Sequence, residues 1–174
     1  GENGAGKSTL IKCLTGVYKP DGGEIFILGQ KIGPGHEDAF KKVAYVQQEI
    51  ELFCHMSVAE NLFLPFRQAA FKGLTNQGRL EKMAEPVLEK FRINVRPDEP
   101  VKDISISSQQ LLQIARATVN DDYEVLLLDE PTTSLTTRDT GILFDIFKEI
   151  KAAGKAVIFI SPKLAELFAL GYEI

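Results

Sequence analysis

The chain has 174 residues, of which 44% are hydrophobic, which is material for one domain with its own core. Its 20 lysines and arginines against 24 acidic residues leave a net charge of −4, mixed along the sequence, and this argues against nucleic acid as the main partner. The two cysteines, Cys13 and Cys54, lack metal-ligand spacing, and no apolar run approaches the length of a membrane span.

The first nine residues, Gly1-Glu2-Asn3-Gly4-Ala5-Gly6-Lys7-Ser8-Thr9, carry the pattern G-x-x-x-x-G-K-[ST], a phosphate-binding loop. A triphosphate is a concentrated anion and needs donors packed closer than side chains allow. Gly4 and Gly6 let backbone N–H groups approach phosphate oxygens because no Cβ intervenes. Ser8 to Thr15 reads as a helix whose N-terminus points at the same anion, with Gly16 as its C-cap. In this arrangement Lys7 pairs with the β- and γ-phosphates of a bound triphosphate and the Ser8 hydroxyl binds Mg²⁺.

Glu24 to Leu28 reads as a short strand, followed by a loop at Gly33-Pro34-Gly35, and Val43 to Gln47 as a second strand. Ser57-Val58-Ala59-Glu60 is a capping box opening a helix. Leu80 to Phe91 reads as a helix with a kink or break at Pro86, and Gln109 to Val119 as another helix. Val125 to Leu128 is an apolar strand ending in Asp129 and Glu130. Alone, that run could be a core strand with a solvated acidic turn. Downstream of a phosphate loop it delivers Asp129 to the Mg²⁺ shell, while Glu130, pointing the other way, can orient or deprotonate an attacking water. Asp139 to Ala153 is an amphipathic helix in which Ile142, Ile146 and Ile150 share a face, with Leu143 and Phe147 adjoining it. Ala156 to Ile160 reads as a buried strand. Strands and helices alternate at both ends, and the stretch from about 57 to 119 is mostly helical. The expected architecture is therefore a parallel α/β core with an inserted helical subdomain, residues 1–174 forming one domain.

With these motifs in order, the chain resembles the ATP-binding cassette of ABC transporters, and more narrowly the first cassette of bacterial importers for monosaccharides of the ribose, galactose and xylose type. The resemblance is carried by Gly1 to Gly29, including Leu14-Thr15-Gly16-Val17-Tyr18 and Pro20-Asp21-Gly22-Gly23-Glu24-Ile25. It is carried further by Val46-Gln47-Gln48-Glu49, by Ser57-Val58-Ala59-Glu60-Asn61-Leu62-Phe63-Leu64, and by Asp129-Glu130-Pro131-Thr132-Thr133-Ser134-Leu135-Thr136. It implies a P-loop NTPase fold with a RecA-like parallel sheet core. It implies that Gln48 contacts Mg²⁺ and the attacking water and links the core to the helical subdomain. Ser105 would contact the γ-phosphate of ATP bound by a second cassette, fused or separate. The partners implied are that cassette and transmembrane permease subunits, at the cytoplasmic face of the membrane. The apolar residues Ile50, Leu52, Phe53, Met56, Val58, Leu62 and Phe63 read mainly as helical-subdomain core, and the family places the groove for a permease helix nearby. The family's P-loop follows a buried strand and an aromatic residue that stacks on adenine. Neither precedes Gly1 here, and the chain reads as truncated at both ends.

Two segments depart from the family. Its Leu-Ser-x-Gly-Gln-Gln-Gln signature stands here as Ile104-Ser105-Ile106-Ser107-Ser108-Gln109-Gln110. Ser107 replaces a glycine that allows close backbone approach to phosphate. After the last strand the family has Ser-His, where this chain has Ser161-Pro162. Proline offers neither a side-chain donor nor an N–H, and loss of one preorganised donor of this kind costs about 10²–10³ in turnover. Beside an ATP-hydrolysing importer subunit, the sequence thus leaves open a catalytically weakened, nucleotide-sensing cassette, or a non-membrane ABC ATPase.

Overall fold

The computed structural model describes residues 6–27, 29–32, 37–63, 76–120 and 122–162. The expectations for residues 1–5, Leu28 and the loop at 33–35 lie outside these. Helix α1 spans Lys7–Leu14 and gives way at Gly16, which adopts φ 77°. A Cβ at Gly16 would come within 3.1 Å of the Phe40 ring, so both backbone and packing call for glycine. Strand β1 (Ile25–Ile27) pairs antiparallel with β2 (Gln30–Ile32). This second strand was not expected; with three residues it has too little alternation to read.

The main sheet is parallel, in the order β3 (Val43–Val46), β4 (Val125–Asp129), β5 (Ala156–Ile160). Its register sets Val46 opposite Leu128 and Asp129 opposite Ile160, so all three strands end at one edge of the sheet. The central strand buries Leu126, Leu127 and Leu128 almost completely, as a continuous apolar run should. The expectation of a buried β5 is corrected. It pairs with β4 and borders the sheet among the described residues, and Ile158 is 40% exposed. Its apolar run reflects the face packed on α5 (Thr137–Ala152), where Phe159 meets Phe144 edge-on at 6.2 Å. The α5 stripe is as expected: Ile142, Leu143, Ile146, Phe147 and Ile150 are all buried.

Helices α2 (Val58–Phe63), α3 (Gln77–Lys90) and α4 (Ile106–Val119) pack on one another, and α4 also touches β3 and α5. Their apolar faces join Val46, Leu126 and Leu128 in one contiguous core. Helix α3 starts at the Asn76 cap, whose side chain accepts the Gly78 N–H at 3.1 Å, and it runs through Pro86 without ending there. Pro86 and Lys82 are both exposed, so the carbonyl deprived of its partner can turn to water. Helix α4 starts three residues earlier than expected. Ser105 caps it, accepting the Ser108 N–H at 3.1 Å, and this cap draws Ser107 and Ser108 into the first turn.

The capping box of α2 is present: the Ser57 N–H donates to Glu60 at 2.8 Å and the Glu60 N–H to the Ser57 hydroxyl at 3.2 Å. Beside it, Asn61 is fully buried. Its amide donates to the Phe53 and Ser57 carbonyls, each at 3.0 Å, and its oxygen accepts the Phe53 N–H at 2.8 Å. Asn61→Ala would strand these buried groups, and a loss of about 3 kcal/mol in stability is expected. Denaturant unfolding with an unchanged m-value would register it as a lowered midpoint.

Candidate nucleotide-binding and catalytic site

Among the described residues, three of the expected groups stand at strand ends, and these ends converge. Because β3, β4 and β5 are parallel and in register, their C-terminal ends deliver Gln48, then Asp129 and Glu130, then Ser161 and Pro162 to one side of the sheet. Open α/β sheets place their ligand crevice at this edge.

Asp129 closes β4 and is 8% exposed. Burial, and then the neighbouring charge of Glu130, raise its pKa above the ordinary aspartate value, while Lys7 pulls in the opposite direction. Glu130 leaves the strand with φ 47°, a left-handed conformation uncommon for a residue with a side chain. Its N–H still donates to the Ile160 carbonyl at 2.9 Å, which ties the turn to β5. The Gln48 amide donates to the Glu130 carboxylate at 3.3 Å. The structure thus brings together Gln48, Asp129 and Glu130, with the charge of Lys7 acting on Asp129.

Of the phosphate loop, Gly6 caps α1 with φ 82° and Thr9 is exposed on its first turn. Gly1 to Ala5 and the Ser8 side chain lie outside the described residues. Ser105 is exposed at the start of α4 and pairs its hydroxyl with that of Ser108 at 2.8 Å. Among the described residues it makes no hydrogen bond to Gln48, Asp129 or Glu130. The Ser107 hydroxyl turns toward α5 and donates to Asp139, which also accepts the Thr136 hydroxyl at 2.7 Å. These two bonds, Ser107 first, hold the Asp139 carboxyl below its usual range. Pro162 is exposed beside the buried Ser161.

Sequence reasoning missed Gln113. It sits in α4, 3% exposed, and its amide reaches the loop that carries Gln48. The available signal was a polar residue on a helix between Leu112 and Ile114, at a position the apolar stripe claims.

The protein-family model for ABC transporters matches residues 1–133. The chain belongs to the ABC transporter family. It is 38% identical over its whole length to a Pseudomonas fluorescens protein named as a ribose/galactose/methyl galactoside import ATP-binding protein, of which it covers 34%. Its identity to the ribose import ATP-binding protein RbsA 3 of Rubrobacter xylanophilus is 40%, with 35% of that protein covered. The cassette thus spans about a third of the length of the curated relatives it matches. Among solved structures it resembles the ATP-binding cassette MJ0796 in a dimeric post-hydrolysis state bound to ADP and Pi. The TM-score is 0.77 at 24% identity, over 95% of this chain and 73% of that one. That likeness shows the fold, an α/β P-loop cassette.

Proposed function

We propose that the cassette binds and hydrolyses MgATP to energise import of a small solute, a sugar by the names of its relatives, as the ATP-binding part of an ABC importer. The hydrogen bond between Gln48 and Glu130, beside Asp129 and within reach of the Lys7 charge, carries this reading. It pairs a carboxylate able to take a proton with an amide able to hold the water that loses it.

In this reading residues Gly1 to Thr9 wrap the triphosphate, Lys7 pairs with its β- and γ-phosphates, and the N-terminus of α1 faces the same charge. The donors suited to Mg²⁺ are the Asp129 carboxylate, the Gln48 amide oxygen and the Ser8 hydroxyl, all hard oxygens. Burial and Glu130 both disfavour negative charge on Asp129, so a cation beside it would reverse that cost. When bound, Mg²⁺ neutralises charge on the phosphates. Gln48 and Glu130 orient the water, and Glu130 takes its proton. Ser105 reaches the γ-phosphate of ATP held by a second cassette, which places one composite site at each end of a dimer.

Residues 57–119 act as the helical subdomain, with Gln48 at its junction with the sheet. A groove of 570 Å³ beside Gln47, lined by Tyr45, Leu52, Phe53 and Arg116, suits a permease helix. Phe53 is 56% exposed there, an aromatic anchor of the kind interfaces use. Among the described residues no helix is long and apolar enough to cross a membrane. In this reading the cassette docks on transmembrane permease subunits at the cytoplasmic face, as the import ATP-binding names of its relatives suggest.

The relatives are named as import ATP-binding proteins, which favours this reading over a cassette that only senses nucleotide, and the exposed Ser105 cap keeps the signature helix start available. Steady-state phosphate release from ATP by the complete protein tests the assignment. Turnover that requires Mg²⁺ and stops on chelation is expected; tight nucleotide binding without phosphate release would overturn it.

A further inference from the structure

The stretch Gln47-Gln48-Glu49 that presents Gln48 carries no apolar side chain of its own. Gln47, Gln48 and Glu49 are all exposed and follow the last residue of β3, so neither burial nor strand pairing fixes the backbone there. Three hydrogen bonds from a single buried side chain do. The Gln113 amide nitrogen donates to the Gln47 carbonyl at 3.0 Å and to the Glu49 carbonyl at 3.1 Å, and its oxygen accepts the Glu51 N–H at 2.5 Å. Both amide protons are used, and the two carbonyls they reach flank Gln48 on either side. A primary amide is the side chain that can serve two acceptors and one donor from one terminal group. With Gln113 3% exposed, the donor and acceptor atoms of its amide are shielded on their own side, though the carbonyls they meet belong to exposed residues.

We propose that Gln113 is a positioning residue for hydrolysis: it clamps the backbone on both sides of Gln48 and so fixes the Gln48 amide against Glu130. The proposal rests on the assignment of Gln48 and Glu130 to ATP hydrolysis. Gln113 lies on the same rigid helix as Ser105, eight residues further along, or about 12 Å at the rise of an α-helix. Helix α4 therefore ties the start of the signature segment to the loop that presents the water-orienting amide. A displacement of that start on closure of a cassette pair is delivered to Gln48 through two carbonyl contacts. The groove of 570 Å³ that we assign to a permease helix is also lined by Gln113, Gln47 and Glu51. The clamp thus stands between that surface and the reacting water.

Gln113→Met in the complete protein tests this, because methionine keeps length and volume while removing every hydrogen bond. Three outcomes are expected. Amide exchange at Glu51 quickens by about tenfold or more, as a lost bond frees that N–H. Turnover falls about tenfold to a hundredfold, the scale of a misplaced catalytic group, while MgATP affinity stays within about twofold, since the phosphates are held elsewhere. Combined with Gln48→Ala, the change adds little to the loss from Gln48→Ala alone, because both act through one amide. Unchanged exchange at Glu51 would overturn the clamp, and losses that multiply in the double variant would overturn its action through Gln48. A general loss of structure would instead show as a lowered melting temperature with weakened nucleotide binding, and that too would overturn a positioning role. Wild-type protein that releases no phosphate would overturn the hydrolytic assignment and with it the positioning role, while exchange at Glu51 would still decide the clamp itself.

Discussion

Lys7→Ala is expected to weaken MgATP binding about a hundredfold, equivalent to roughly 3 kcal/mol. Lys7 is the first residue of α1, half-buried, and its charge already acts on Asp129. Two phosphates would lose a charge-assisted partner, each bond worth about 1.5–3 kcal/mol. The same substitution removes the cation that opposes the raised pKa of Asp129, so the metal-binding carboxylate suffers as well. Alanine is the best helix former, so α1 persists and the loss belongs to the charge. Calorimetric titration of both proteins checks this, and matching affinities would remove Lys7 from the site.

Glu130→Gln is expected to leave nucleotide affinity close to wild type and to lower turnover by about 10²–10⁴, the range for losing a positioned general base. Glutamine occupies the same volume and meets the same backbone demand at φ 47°, and its amide oxygen can still accept from Gln48. What disappears is the capacity to take a proton. The contrast with Lys7→Ala is the informative part: one variant loses binding, the other loses chemistry on a bound substrate. Single-turnover hydrolysis beside equilibrium binding separates them. A Glu130→Gln protein with wild-type turnover would move the base elsewhere.

Much of this was legible because it depends on local pattern. The apolar run into Asp129 and Glu130, the 3.6-residue stripe of α5 and the Ser57–Glu60 box each carry their physics within a few residues. Features set by neighbours were not. Whether β5 is buried depends on what flanks it, and its own apolar run is the same either way. Pro86 reads as a breaker until its exposure shows that water can take the freed carbonyl. Set against the family motif, Ser107 and Ser108 read as departures rather than as the first turn of α4. Ser105 is a strong N-cap in its own right and defines the helix start without reference to that motif. Gln113 was out of reach of any local pattern, since its partners lie 62 to 66 residues away.

The left-handed backbone at Glu130 sets stability and activity against each other at one residue. A non-glycine side chain held there stores about 1–3 kcal/mol of conformational strain, which glycine would release. A search for thermostable variants of this cassette that scored melting temperature alone would therefore be drawn to position 130, and would collect proteins that outlast the wild type while having lost the carboxylate. The site keeps its strain because the same turn aims Glu130 at Gln48, and only a selection that counts phosphate released will preserve it.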